Sequence, residues 1–452
     1  MARLFGTDGI RGVANAYPMD VESAVKAGRA IARYFSNGSG DEKFLLIGQD
    51  TRLSGDMIAQ AVAAGVCSAG MDVAFTGVLP TPAVAYLAAD TNAAAGVVIS
   101  ASHNPFSDNG IKVFDASGYK LSDQAEIQIE ALLEGDQAHI TRDVASKRIG
   151  RQRSMVPAQA HDRYSEFLLK SIEHLSLKGL HIVLDCANGA TFQVAPKVFG
   201  SLGAKFTSLF CTPDGININE GCGSQHPEVL SQKVIETKAD LGLAFDGDGD
   251  RLIVVDENGS ILTGDQIMAV CARDLKSKGA LLNDVVVSTV MSNMGLHHAM
   301  KGLGITLVTT QVGDRYVMQE MVARNAILGG ENSGHMIFKD HHTTGDGIMA
   351  ALRLLDALTT AGRQLSELSR IMTVFPQKLI NVDVQAKPEL NTVPEILDVI
   401  RNVERELGED GRVLVRYSGT QPQCRVMVEG LTEGQTADYC ERIAEVVKNV
   451  LG

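Results

Sequence analysis

The sequence predicts an α/β protein built as three related α/β domains plus a smaller α+β C-terminal domain. Three observations carry this reading. Short apolar runs alternate with amphipathic stretches as far as about residue 370, the mark of strand–helix–strand units. A helix end closed by a glycine and followed by a strand recurs at residues 68–73, 201–206 and 302–307. Beyond residue 376 the order changes to strand, helix, strand, strand, helix. A chain of 452 residues is also too long for one hydrophobic core. The boundaries expected are 1–153, 154–255, 256–370 and 371–452.

In order, residues 44–48 read as a strand, 57–69 as a helix with its apolar face at Ile58, Val62, Gly65 and Val66, and 71–75 as the next strand. Mostly parallel sheets follow from this alternation. Downstream of each repeated glycine, an apolar strand runs into a polar loop: residues 95–105, 240–251 and 326–335. Each loop would leave the C-terminal end of its strand, where α/β proteins place their chemistry. Ile348, Ala351, Leu352 and Leu355 mark a core helix after Asp346. Residues 370–376 read as a linker. The last domain is expected as strand 378–384, helix 393–407, strands 412–417 and 425–430, and helix 435–450.

Bulk properties narrow the function. The net charge of −13 argues against non-specific nucleic-acid binding, though a local basic pocket can still take a small anion. Seven scattered cysteines contain no Cys-x-x-Cys pair, so neither a zinc site nor a disulfide framework is expected. There is no apolar run of membrane-spanning length and no signal-peptide core near the start, so a cytoplasmic protein with no membrane partner is expected.

The loops carry the chemistry. Asp246-Gly247-Asp248-Gly249-Asp250-Arg251 alternates three carboxylates with two glycines, which lets three hard oxygen ligands converge on one cation. Mg²⁺ suits them. An EF-hand calcium loop is disfavoured, because the apolar run 252–255 lies where the middle of that loop would be. Ser102-His103 follows an apolar strand and reads either as a hydrolase pair or as a serine that accepts and donates a phosphoryl group. The Gly-x-Ser-x-Gly elbow is absent, an adjacent histidine is not expected to reach its neighbour's hydroxyl, and the acidic loop favours the second reading. Lys112 is a candidate base or phosphate partner. Glu331-Asn332-Ser333-Gly334-His335 suits a polyol, although a polar turn would look the same. Arg416-Tyr417-Ser418-Gly419-Thr420, with Arg425, suits a phosphate, although a hairpin with exposed arginines would also look the same. Arg11, in a glycine-rich turn, is a further candidate phosphate contact. The pairs His297-His298 and His341-His342 read as surface or loop residues, not ligands.

Taken together, Ser102-His103-Asn104-Pro105, residues 246–251, 330–335 and 416–420 resemble the α-D-phosphohexomutase family in order and spacing, over the whole chain. Three positions stand apart within the pattern. Gln421 stands where glutamate is usual, Ser100 where threonine is more usual, and Asn332 where phosphomannomutase/phosphoglucomutase members more often have methionine. The resemblance implies interconversion of glucosamine 6-phosphate and glucosamine 1-phosphate, for UDP-N-acetylglucosamine and cell-wall synthesis, through phosphoserine 102 and a 1,6-bisphosphate that also primes the enzyme. It implies four domains around a central cleft, with Mg²⁺ held by Asp246, Asp248, Asp250 and a Ser102 phosphate oxygen. Arg11, His103, Lys112 and Arg251 would assist transfer, with His335 or Lys112 handling protons. Glu331 and Ser333 would hold sugar hydroxyls, and Arg416, Ser418, Gly419, Thr420 and Arg425 the other phosphate. A homodimer is expected on the same ground. A phosphoglucomutase or phosphomannomutase activity, a metal-dependent phosphatase and a non-catalytic sugar-phosphate sensor are the alternatives.

Overall fold

Each of the three repeats is organised on one parallel trio of strands, and each trio ends in one of the polar loops. The structure, a computed structural model, describes residues 4–6, 8–36, 43–135, 148–153, 157–418 and 422–452. The first repeat comprises β1 (Ile10–Val13), α1 (Val21–Ser36), β2 (Phe44–Gln49), α2 (Gly55–Ser68), β3 (Asp72–Val78), α3 (Thr81–Asp90), β4 (Ala95–Ile99), β5 (Asp108–Asp115) and α4 (Asp123–Glu134). Its sheet runs β1-β5-β4-β2-β3. The second comprises α5 (Pro157–Lys170), β6 (His181–Asp185), α6 (Val194–Ser201), β7 (Lys205–Leu209), α7 (Glu228–Thr237), β8 (Leu241–Phe245), β9 (Leu252–Asp256) and β10 (Ile261–Leu262), in the order β10-β9-β8-β6-β7. The third comprises α8 (Gly264–Ser277), β11 (Val285–Thr289), α9 (Met294–Gly302), β12 (Thr306–Thr310), α10 (Asp314–Arg324), β13 (Leu328–Gly330), β14 (Met336–Phe338), α11 (Gly347–Ala361) and α12 (Leu365–Leu368), in the order β12-β11-β13-β14.

The repeat seen in the sequence is therefore a repeat of topology. Gly70, Gly203 and Gly304 each take a positive φ between a helix and the second strand of a trio, a conformation that costs glycine little. The sheets are mixed, not mostly parallel. After each polar loop the chain turns back antiparallel, in β5 beside β4, β9 beside β8 and β14 beside β13. A loop that returns at once cannot leave room for a helical crossover, so its second strand must run antiparallel. Buried strands with no polar alternation, such as Ala95–Ile99 and Leu241–Phe245, are covered on both faces.

The chain forms two compact units. One takes residues 1–290 and 306–370, the other 291–305 and 371–452. The second unit holds β15 (Gln377–Asp383), α13 (Pro394–Leu407), β16 (Arg412–Tyr417), β17 (Gln423–Glu429) and α14 (Glu433–Leu451) on an antiparallel β15-β17-β16 sheet. It also takes α9. The buried Glu429 carboxylate accepts from the Met294 N–H at 3.0 Å and from Arg412 Nε at 2.7 Å, and Asn293 Nδ2 donates to the Phe375 carbonyl at 2.9 Å. All seven cysteines are free and five are buried, as small core residues. Among the described residues no helix is long and apolar enough to cross a membrane.

One histidine of the two pairs lies in a loop, as expected, and is buried there. His342 is buried, and Phe167 meets it edge-on at 5.5 Å. Its Nδ1 accepts from the Thr343 N–H at 2.8 Å, so Nε2 carries the proton and donates to the Pro82 carbonyl at 3.0 Å. Burial holds its pKa down to about 4. The neutral ring stabilises the fold above its ordinary pKa, and that contribution is lost as pH falls towards 4. The full difference is about 3 kcal/mol. Thermal midpoints measured from pH 7 to pH 4 are therefore expected to fall less steeply for His342→Gln than for the wild-type chain.

Candidate active site

Ser102 sits where β4 gives way to its loop, with φ +54 in the left-handed region. Such a conformation is unfavourable for a residue with a Cβ and persists only where its surroundings hold it. Here the hold is explicit. The Ser102 N–H donates to Ser100 Oγ at 2.9 Å, and Ser100 Oγ donates to Asp50 Oδ2. Arg52 lies buried beneath the loop with every N–H of its fork used. Nε reaches Asp50 Oδ2 at 2.8 Å, Nη2 reaches the carbonyls of Ser102 and Asn104 at 2.8 Å each, and Nη1 reaches those of Asp108 (3.0 Å) and Pro105. Asn219 Nδ2 donates to the same Ser102 and Asn104 carbonyls at 2.9 and 3.1 Å. Asp50, Arg52 and Asn219 are absent from the sequence reading. A signal for the first two was present: β2 and β4 pair in parallel, so Asp50-Thr51-Arg52 leaves the sheet beside the serine loop.

The acidic loop turns between β8 and β9. Gly249 takes φ +74, and a Cβ on Gly247 would lie 2.6 Å from the Ser102 carbonyl, so the glycines allow both the curl and the close approach of the two loops. Asp246, Asp248 and Asp250 are buried and bring one carboxylate oxygen each within 4.8 Å of one another. Asp248 Oδ1 and Asp250 Oδ1 are buried with no hydrogen-bond partner. Orphaned carboxylate oxygens in a dry site fit a hard divalent cation. Burial, then the charges of Asp250 and Asp248, push the Asp246 carboxyl well above the usual range, and Ser102 Oγ donates to it at 2.6 Å. Thr81, opening α3, donates through its hydroxyl to Asp248 Oδ2 and through its N–H to the Asp248 carbonyl at 2.8 Å.

Cations from the first repeat surround these carboxylates. Lys112, in β5, is buried with Nζ at 2.7 Å from Asp248, 2.9 Å from Asp8 and 3.6 Å from Asp250. Burial opposes its charge, but those three carboxylates together hold it firmly as an ammonium. Arg11 pairs with Asp8, and its Nε is buried without a partner. Arg251 donates its N–H to Asp246 Oδ1 at 3.1 Å and places Nε 3.8 Å from Asp250. His103 Nδ1 stands 3.4 Å from Ser102 Oγ, closer than neighbours in an extended chain would come, because the positive φ folds the pair together. Burial, then Arg251 and Arg11, lower its pKa to about 4.

The third repeat closes the constellation. The N–H of Leu252 donates to the Gly334 carbonyl at 3.0 Å, and Arg251 and His335 form a β-bridge. His335 is buried, with Nδ1 3.6 Å from Asp250 and Nε2 3.6 Å from Asp314. Nε2 accepts from the Gly345 N–H at 3.2 Å. Burial opposes a charge on the ring, and Asp250 with Asp314 outweighs it and raises its pKa. Glu331 Oε1 accepts from the Gly313 N–H at 3.1 Å, while Asn332 Oδ1 and Ser333 Oγ are buried without partners, two polar atoms free for a ligand. Ser102, His103, Lys112, Arg11, Arg251, His335 and the three aspartates are thus brought together, with Glu331 and Ser333 on the same loop as His335.

In the second unit Arg416 and Arg425 lie directly opposite each other across β16 and β17. Like charges in that position repel unless an anion lies between them. The Arg425 Nε and the Tyr417 hydroxyl are buried without partners. Burial, then Arg425, lowers the Arg416 pKa. The Ser418 carbonyl accepts from Lys387 Nζ at 2.7 Å, which adds a cation the sequence reading did not include. Gly419 and Thr420 lie outside the described residues.

The chain matches the phosphoglucomutase/phosphomannomutase alpha/beta/alpha domains I, II and III over residues 2–139, 162–259 and 263–375, and the C-terminal domain over 379–446. It is 53% identical to a phosphoglucosamine mutase of Syntrophus aciditrophicus and 51% identical to one of Syntrophobacter fumaroxidans, each over 100% of both chains. Among solved structures, a phosphoglucomutase/phosphomannomutase family protein of Burkholderia thailandensis superposes with a TM-score of 0.81 at 25% identity, covering 99% of this chain and 97% of that one. The N-acetylphosphoglucosamine mutase of Aspergillus fumigatus, solved with GlcNAc-6P and magnesium, shares the fold at a TM-score of 0.69 and 16% identity, over 99% of this chain and 96% of that one.

Relief of the carboxylate repulsion is measurable. In metal-free buffer Asp246→Asn is expected to melt about 2–4 °C above the wild-type chain, by calorimetry. Added Mg²⁺ or Mn²⁺ is expected to raise the wild-type midpoint and leave that of Asp248→Ala unmoved.

Proposed function

Because the chain belongs to the phosphoglucomutase/phosphomannomutase family, we propose that it interconverts glucosamine 6-phosphate and glucosamine 1-phosphate through a phosphoserine at Ser102 and a sugar 1,6-bisphosphate. The observation that carries the proposal is Ser102 itself. Its hydroxyl stands 2.6 Å from one of three clustered carboxylates, on a backbone held in place by Arg52. Asp246, Asp248 and Asp250, with a phosphate oxygen on Ser102, would hold Mg²⁺, which supplies positive charge against the transferring group.

The protein's own side chains do the rest. The phosphoryl group leaves Ser102 Oγ for the free O1 of bound glucosamine 6-phosphate, and the bond to the serine breaks as the new P–O bond forms. Arg11, Arg251 and the Lys112 ammonium neutralise the equatorial oxygens, and His103 donates beside them. His335, held between Asp250 and Asp314, takes the hydroxyl proton. Glu331 and Ser333 hold ring hydroxyls. Arg416, Ser418, Gly419, Thr420 and Arg425 hold the phosphate that is not transferred. The bisphosphate then turns over and returns its other phosphoryl group to Ser102, leaving glucosamine 1-phosphate. A sugar 1,6-bisphosphate primes the dephosphorylated chain. The reading carries with it a cytoplasmic location, a homodimer, supply of UDP-N-acetylglucosamine for the cell wall, and the four boundaries expected above.

Intact mass and phosphopeptide mapping, before and after incubation with glucosamine 1,6-bisphosphate, test the phosphoserine. One phosphoryl group on Ser102, passed on to glucosamine 6-phosphate and missing from Ser102→Ala, is expected. Its absence would sink the mechanism. Ser102→Ala is expected to lose at least about 10³-fold in kcat. Preference for 2-amino over 2-hydroxy sugar phosphates separates this reading from a phosphoglucomutase or phosphomannomutase. Loss of one arginine fork, in Arg416→Met, is expected to raise KM about 10–100-fold while Ser102 still takes its phosphoryl group.

A further inference from the structure

We propose that Lys120 is a positioning residue of the reaction: an ammonium that ties the catalytic cations of the first repeat to the histidine loop of the third. The inference rests on the mutase reading above. Lys120 follows β5 and is largely buried, and its Nζ pairs with both Asp8 and Asp314. Asp8 is the carboxylate that also holds Arg11 and Lys112. Asp314 opens α10 and lies 3.6 Å from His335 Nε2. Through one side chain, the groups that neutralise the phosphoryl oxygens and the group that takes the substrate proton are referred to a common charge.

The seam between these two repeats needs such a device. It contains a cavity of about 300 Å³ whose walls include Tyr119, Leu121, Met318 and Ile337, so close packing does not hold it in register. What crosses it is polar. Arg315 pairs with Asp123 and Glu126 on α4, with Nη1 3.0 Å from Glu126 Oε2, and Thr343 Oγ1 donates to the Gly118 carbonyl. Of these contacts, only that of Lys120 ends at both sides on carboxylates that touch site residues. Without it, Asp8 and Asp314 become facing carboxylates with one cation fewer between them, and their repulsion moves the His335 loop away from Lys112 and Arg11. A displacement near 1 Å at reacting groups is enough to cost about 10²-fold in rate.

Steady-state kinetics with glucosamine 1-phosphate, well below the melting temperature of each variant, test this. Lys120→Met is expected to lower kcat about 10–100-fold with KM within about threefold of wild type. Lys120→Arg is expected to recover most of the loss. Arg315→Met breaks the neighbouring ion pairs of the same seam, and it is expected to lower the melting temperature while kcat stays within about threefold. Asp314→Asn, which leaves Lys120 paired to Asp8, is expected to lower kcat in the same direction, so the result does not hang on one variant folding. An active wild-type chain whose Lys120→Met variant keeps its kcat, or loses no more than Arg315→Met does, overturns the role of Lys120 alone. A wild-type chain that does not turn over glucosamine phosphates overturns the mutase reading, and this inference with it.

Discussion

Three carboxylates within 4.8 Å of one another in a buried loop cannot all carry charge without cations beside them. Among the described residues, the second repeat, which supplies the carboxylates, supplies only Arg251 against them at short range. Lys112 comes from the first repeat and His335 from the third. The charge of one loop is thus a reason for three repeats to associate: each alone would hold an uncompensated set of ionised groups. Asp8 and Lys120 extend the same alternation outward, sign by sign, until it reaches the seam between the first repeat and the third. Such a network stabilises little in total, because burying each charge offsets most of what its pairing contributes. Its effect is on geometry, since only one arrangement of the three loops leaves every charge with a partner.

The nucleophile is held by a different physical means. Four carbonyls of the serine loop are turned onto the Arg52 fork, and two of them also onto Asn219. A guanidinium fixes direction as well as charge, and a lysine could not satisfy the same set. The positive φ of Ser102 is maintained by these distant bonds together with the local one from its N–H to Ser100 Oγ. The hydroxyl meets its carboxylate partner because the backbone beneath it has no freedom to relax.

How much of this was legible in the sequence follows from how far each interaction reaches. The strands, the repeat and the three polar loops are local patterns, so apolar runs ending in Ser102-His103, Asp246–Arg251 and Glu331–His335 could be read directly. Of the return strands, the apolar run 252–255 of β9 was legible, but the direction of β5, β9 and β14 is a property of loop length, and the mixed sheets were not foreseen. Asn219, Lys120 and Lys387 stayed hidden because nothing beside them in the chain reveals their partners, which lie between 31 and 194 residues away. His342 lies in a loop, as its reading allowed, but its burial against Pro82 and Phe167, both remote in sequence, could not be read from its neighbours.

The allegiance of α9 bears on how such a chain could be recombined. By topology this helix joins two strands of the third repeat, yet it packs with residues 371–452, where Glu429 and Phe375 receive its first turn. The backbone therefore passes between the two compact units three times, at 290–291, 305–306 and 370–371. A crossover placed in the linker before β15 would separate Met294 from the carboxylate that accepts its N–H. A chimera that exchanges the C-terminal part between relatives keeps this contact only if residues 291–305 travel with it, so the unit of inheritance is discontinuous in the gene although it is contiguous in space.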